Sequence, residues 1–257
     1  MELIDTHTHL YSSEFDSDRD EAMQRALDLG VDKFILPAID STYDAAMDSL
    51  KDDYPGKIFR MAGLHPTHVQ PDTLNQELDH VAQRLQMGSF YAIGEIGIDL
   101  YWDKSTRESQ QKAFKKQIQW AKEYDLPIVI HCRDAFDEVF EILEEERHPL
   151  LRGIFHCFTG NLDQAHQAID LNLKLGIGGI VTFKNGGLDK VIDKIPLKHI
   201  VLETDSPYLA PAPFRGKRNE SSYLTYIAEK TSEIYGKSLE EIAQITTNNA
   251  NSVFKLN

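Results

Sequence analysis

Ile128-Val129-Ile130-His131-Cys132-Arg133-Asp134-Ala135-Phe136-Asp137-Glu138-Val139-Phe140-Glu141-Ile142-Leu143 contains two kinds of periodicity in sixteen residues. Ile128 to His131 is a short, β-branched apolar run, as a strand buried on both faces requires. Phe136, Val139, Phe140 and Leu143 then fall at i, i+3, i+4 and i+7, one face of a helix expected over about Ala135 to Arg147. A buried strand followed at once by an amphipathic helix is half of a parallel crossover unit.

The same alternation extends in both directions. Apolar, β-rich segments recur at Leu3–Asp5, Lys33–Pro37, Phe59–Leu64, Tyr91–Glu95, Ile128–His131, Ile154–His156, Leu173–Ile177 and Ile200–Glu203. Between them, Ala22, Met23, Ala26 and Leu27 form a helical stripe stopped by Gly30, and Phe114, Ile118 and Ala121 mark another. Eight such units in a chain of 257 residues favour a closed (β/α)8 barrel of the TIM type, which typically takes about 250, over an open doubly wound sheet. The seventh crossover, Thr182 to Asp193, contains Gly186-Gly187 and leaves room for only a short helix. After the eighth strand come a proline-rich loop, Pro207 to Pro213, and two helical stretches. Leu224, Ile227, Ala228 and Thr231 mark the first, and a Ser238/Glu241 capping box opens the second, expected to reach about Asn251. With no linker, low-complexity segment or repeat beyond this alternation, residues 1–257 are expected to form one domain.

Composition narrows the function classes. The 41 acidic against 27 basic residues leave a net charge of −14, which argues against coating nucleic acid through a broad basic surface. It leaves room for an enzyme that handles a short piece of nucleic acid at a metal-lined pocket. The compact basic cluster Arg215, Lys217 and Arg218 is read as a solvated loop rather than a phosphate clamp. No apolar run approaches the roughly 18 residues of a membrane span. The start of the chain carries no signal-peptide pattern, and Cys132 and Cys157 give no disulfide framework, so the expected location is the cytoplasm, with no membrane and no obligate protein partner.

In such a barrel the C-terminal strand ends carry the chemistry. By the assignment above, His7 and His9 stand at the end of strand 1, where an i, i+2 pair shares a face, Glu95 at strand 4, His131 at strand 5, His156 at strand 6, and Glu203 and Asp205 at strand 8. The four imidazoles with the carboxylates of Glu95 and Asp205 exceed the three protein ligands of a single catalytic zinc, and suit a pair of ions sharing a carboxylate.

The segments Asp5-Thr6-His7-Thr8-His9, Gly63-Leu64-His65-Pro66, Ile93-Gly94-Glu95-Ile96-Gly97-Ile98-Asp99, Leu126-Pro127-Ile128-Val129-Ile130-His131-Cys132-Arg133, His156-Cys157-Phe158-Thr159-Gly160 and Leu202-Glu203-Thr204-Asp205-Ser206-Pro207 run from end to end of the chain. In that order they resemble the TatD family of metal-dependent deoxyribonucleases, within the amidohydrolase-like barrels. Arg218-Asn219-Glu220 agrees as well, although the family commonly continues with proline and this chain has Ser221. The resemblance implies that His7, His9 and Asp205 hold one divalent ion, His131 and His156 a second, and that Glu95 bridges them. The ions would be zinc, manganese or magnesium. It further implies a bridging water that attacks phosphorus, Asp205 as its proton acceptor, and DNA as substrate, single-stranded or at 3′ ends, digested from a 3′ end.

Further residues carry weaker signals. His65 is implied by the resemblance to contact a substrate phosphate, where the residues alone allow a strand-end cap. Arg133 offers a guanidinium for phosphate or a surface ion pair. Glu203, two before Asp205, suits an acceptor that orients a ligand imidazole, or a buried ion-pair partner. Cys132 and Cys157 follow ligand histidines directly, so strand alternation turns them away into core packing. His68, His80, His148, His166 and His199 fall on loops or helices. Trp102 is read as a packed loop aromatic or a base-stacking one. The competing activity is a metal-dependent amidohydrolase or esterase acting on a small metabolite or an aminoacyl-tRNA. Many such enzymes bridge their ions with a modified lysine on strand 4, where this chain has Glu95. A non-catalytic metal-binding scaffold is disfavoured by the complete donor set.

Overall fold

The computed structural model describes residues 2–256. Eight parallel strands follow one another in sequence order: β1 Leu3–Asp5, β2 Val31–Leu36, β3 Ile58–Ala62, β4 Ala92–Asp99, β5 Ile128–Arg133, β6 Gly153–Phe155, β7 Leu173–Ile177 and β8 Ile200–Leu202. The last strand returns to the first. Thr6 donates its N–H and its hydroxyl to the Leu202 carbonyl (3.1 and 3.0 Å), and Asp205 N–H donates to the His7 carbonyl (2.9 Å). Thr8 pairs with Ser206 as a parallel bridge. These contacts close the sheet into the expected (β/α)8 barrel.

Among the described residues, seven helices cover its outside: α1 Arg19–Asp28, α2 Asp44–Asp53, α3 Leu74–Met87, α4 Arg107–Glu123, α5 Phe136–Glu145, α6 Leu162–Asp170 and the five-residue α7 Leu188–Ile192. The brevity of α7 matches the glycine pair before it. Two more follow β8, α8 Leu224–Tyr235 and α9 Leu239–Phe254; Ser238 and Glu241 form the capping box that starts α9.

Alternation along each strand separates two cores. Outward residues such as Phe34, Ile93, Ile96, Ile128 and Ile130 pack against the helices. Inward residues near the strand starts, Ile4, Ile35, Phe59, Met61, Val129, Ile154 and Val201, fill the barrel floor against Val253 and Phe254 of α9. The inward row continues two residues later into the rim. Val129 is followed by His131, Ile154 by His156 and Val201 by Glu203.

Candidate active site at the strand ends

Two local irregularities aim side chains that alternation would misdirect. On β4, Ile93 pairs with Ile128 and Ile96 with Ile130, so one extra residue is inserted into β4. Ile93, Ile96 and Ile98 all face the helices while Ala92 faces the floor. The bulge therefore turns Glu95 inward, where simple alternation from Ala92 sends it outward. It also lets β4 run on to Asp99, further than the expected end at Glu95. Gly97, at φ 141°, permits the neighbouring pairing, because a Cβ there would sit 1.9 Å from the His131 carbonyl oxygen. On β1 the strand ends at Asp5 and the chain bends at Thr6 and His7. That bend, rather than strand alternation, brings His7 and His9 to the rim.

The Asp5 carboxylate holds the bend, accepting from Thr204 N–H (2.9 Å) and the Thr204 hydroxyl (2.6 Å). Burial pushes its carboxyl up to about 7 against those hydrogen bonds. Thr8 Oγ1 and Ser206 Oγ lie 2.7 Å apart, and Ser221 Oγ donates to Thr8 Oγ1 at 3.2 Å. Ser221, where the resemblance expects proline, thus opens a short 3-10 turn and extends the seam between first and last strands.

Glu95 sits among four imidazoles. Its Oε2 is 3.0 Å from His7 Nε2, and its Oε1 is 2.9 Å from His131 Nδ1, 3.3 Å from His65 Nε2 and 3.8 Å from His156 Nε2. Burial raises the pKa of this carboxyl, but the surrounding histidines outweigh it and hold the group well below the usual range. Asp205 Oδ1 approaches His9 Nε2 (3.4 Å), His156 Nε2 (3.8 Å) and His7 Nε2 (3.9 Å). It too is lowered by its histidines against the cost of burial. Asp205 adopts φ 57°, a left-handed conformation that aspartate tolerates better than most residues.

The six expected ligands are thereby brought together. His7, His9 and Glu95 form one compact donor group, His7, His156 and Asp205 another, and His65, Glu95 and His131 a third. His156 stacks on His7, ring centroids 3.5 Å apart, and its Nε2 is equally near Glu95 and Asp205. Both nitrogens of fully buried His7 lack a hydrogen-bond partner among the described residues. Unpaired imidazole lone pairs beside ionised carboxylates are the donor chemistry of a divalent transition-metal or magnesium site, so these residues fit such ions.

Surrounding groups fix the imidazoles. His156 Nδ1 faces Glu203 Oε1 at 2.9 Å, and the same oxygen accepts Cys157 N–H at 2.6 Å. Burial lowers His156, but Glu203 and Glu95 lift it to about 10. The Glu203 carboxylate lies over Gly176, where a Cβ would stand 2.3 Å from Oε2. His131 Nε2 meets Asp99 Oδ2 at 2.8 Å, and its two carboxylate partners raise it to about 9 despite burial. His65 Nδ1 accepts Thr67 N–H (3.2 Å), leaving its Nε2 directed at Glu95. Burial draws His65 down to about 4, so it is neutral near pH 7.

Strand alternation and spacing assign Asp99 no role. Its signal was available in Gly97-Ile98-Asp99, but only the extended β4 places it beside His131. Its Oδ1 accepts Tyr101 N–H (3.0 Å) and Trp102 N–H (3.1 Å), so one carboxylate joins His131 to the following loop. Trp102 is 69% exposed there rather than packed. Arg133 lies 3.8 Å above the Tyr101 ring centre, in place of a surface ion pair.

Cys157 also departs from strand alternation. β6 ends at Phe155, Cys157 turns at φ 43°, and its side chain lines the cleft instead of the helix interface. Burial raises its thiol well above the usual value. His68 borders the same cleft, with Nδ1 2.6 Å from Asp40 Oδ2. The basic cluster divides: Arg215 and Lys217 line the cleft, whereas Arg218 turns away to a two-pronged pair with Asp18. The cleft above the donor groups measures about 950 Å³.

Residues 4–255 match the family described as TatD related DNase. The chain is 41% identical to the uncharacterized metal-dependent hydrolase YabD of Bacillus subtilis, over 99% of this chain and 100% of that one. It is 32% identical to the 3'-5' ssDNA/RNA exonuclease TatD of Yersinia pseudotuberculosis, over 99% of this chain and 100% of the relative. Among solved structures, the TatD homolog YjjV of Escherichia coli superposes with a TM-score of 0.92 at 32% identity, covering 99% of this chain and 98% of the other. The chain belongs to the TatD family of metal-dependent hydrolases.

Proposed function

We propose that this TatD-family hydrolase cleaves phosphodiester bonds of DNA, removing nucleotides from the 3′ end of a single strand, with two divalent ions and a water between them. The observation that carries the reading is Glu95, whose two carboxylate oxygens each face imidazoles from different strands. That is the arrangement a bridging ligand needs, and a carboxylate occupies it instead of a modified lysine. Support for the substrate comes from relatives such as the Yersinia exonuclease. The two free thiols, Cys132 and Cys157, suit the reducing cytoplasm, and residues 1–257 are taken as one catalytic domain.

In this proposal His7, His9 and Asp205 would hold one ion, His131 and His156 the other, and Glu95 would contribute to both. Such ions would supply Lewis acidity, which lowers the pKa of water towards neutral and offsets charge on a phosphate. Asp205 receives the proton on a carboxylate that its histidines keep ionised. Glu203 Oε1, 2.9 Å from His156 Nδ1, sets a negative charge behind the imidazole and leaves Nε2 facing the centre. His65, neutral and with Nε2 inward, and Arg133 contact the substrate phosphates.

The test is turnover of purified protein, loaded in turn with Mg, Mn and Zn, on 3′-labelled single-stranded DNA, RNA, and amide or ester substrates. Stepwise loss of nucleotides from the labelled end, with close to two ions per chain, is expected. Hydrolysis of only the amide or ester overturns the phosphodiesterase reading in favour of the amidohydrolase one.

A further inference from the structure

The loop after β4 carries a feature that the donor cluster does not use. Trp102 (69% exposed) and Tyr101 (53% exposed) project at the rim with their rings edge to face, centroids 5.0 Å apart. Arg133 lies over Tyr101 at 3.8 Å and 5.3 Å from the Trp102 centre. Large exposed aromatics keep apolar surface in water, a cost that a stacked partner relieves, and here the loop is firmly built. Gln110 accepts Asp99 N–H (2.8 Å) and donates to the Asp99 carbonyl (3.0 Å) and to Thr106 Oγ1 (2.9 Å). Asp99 then ties the backbone of Tyr101 and Trp102 to the imidazole of His131. The aromatic pair is therefore held in fixed register with the donor cluster.

We infer that Trp102, with Tyr101 and Arg133, forms a stacking subsite for an unpaired base next to the scissile phosphodiester; the inference rests on the function proposed above. Stacking on a π-face accepts any base, but only one released from its pair, so this platform selects single strands over duplex. Arg133 turns its face to Tyr101 and Trp102, which leaves its edge N–H groups for the adjoining phosphate. Across the cleft, Arg215 stands over Phe183 at 4.2 Å beside Lys217, a second cationic and aromatic wall. On a chain of net charge −14, cations gathered at this mouth mark where a polyanion is received.

The experiment compares wild type, Trp102→Ala and Trp102→Phe on a 3′-labelled single-stranded oligonucleotide and on the same strand in a blunt duplex. Trp102→Ala is expected to raise KM for the single strand about tenfold, the worth of roughly one stacked base, with the loss falling mainly on KM. Phenylalanine should restore most of it, and the preference for single strand over duplex should shrink in the alanine variant alone. Titrating the oligonucleotide without turnover, in chelator, should quench tryptophan fluorescence in wild type but not in Trp102→Phe, because the other indole, Trp120, is buried. If wild type digests the oligonucleotide while Trp102→Ala keeps its KM within twofold, the subsite is refuted and the nuclease reading stands. If wild type cleaves no phosphodiester, the function itself has failed.

Discussion

At the floor of the barrel, Val129, Ile154 and Val201 pack against Val253 and Phe254. Two residues further along the same strands, His131, His156 and Glu203 enclose a cluster in which His7 nitrogens and Glu203 Oε2 are buried without hydrogen-bond partners among the described residues. Burial of apolar area contributes about 25 cal/mol per Å² at the floor. An unpaired buried polar group at the rim costs about 1–3 kcal/mol. One end of the barrel is thus built to be stable, and the other gives up stability to present lone pairs and charges to a ligand. Changes at the rim should alter chemistry and leave folding nearly intact, while changes at the floor should do the reverse.

The largest effect is expected from Asp205→Asn. The amide keeps an oxygen towards the histidines but cannot take a proton, so turnover should fall by roughly 10³-fold, about 4 kcal/mol of barrel-rim chemistry. Ion content by mass spectrometry and Tm should stay close to wild type. Wild-type turnover in the ion-loaded variant removes Asp205 from the mechanism. Phe254→Ala tests the opposite end. Emptying a site that is 3% exposed should cost about 3–5 kcal/mol and lower Tm by roughly 10 °C, with ion content and turnover per folded molecule retained. Loss of ions from the still-folded variant would show that the two ends are not separable.

Glu203→Gln, a smaller change, sharpens the boundary between them. His156 Nδ1 keeps an oxygen but loses the charge behind it, so ion affinity should weaken by roughly 10- to 100-fold in a metal titration. The metal-free Tm should hold or rise, since a fully buried carboxylate with one unpaired oxygen is removed. Unchanged affinity with a lowered Tm assigns Glu203 to structure rather than to the site.

Much of this was legible in residue order. Apolar runs alternating with 3.6-residue stripes point to parallel strands with helical crossovers and favour a (β/α)8 barrel, because buried parallel strands and covering helices leave different periodicities. The capping box of α9 and the short α7 follow from Ser238, Glu241 and the Gly186-Gly187 pair for equally local reasons. Donor residues at strand ends also mark the rim, since the fold sends those ends to one face.

Orientation beyond the strand ends was decided by tertiary structure. Alternation sends Glu95 outward, and only the bulge against β5 turns it in. The HxH pair works through a bend held by Asp5 and Thr204, 199 positions apart. Asp99 reaches His131 because β4 extends past Glu95, and Cys157 reaches the cleft because β6 stops early and the chain turns at positive φ. Arg215 and Arg218, three residues apart, separate because Asp18 captures one of them. The physical reason is common to all: periodicity records which face a regular element buries, whereas bulges, bends and ion pairs are set by partners that are distant in the chain.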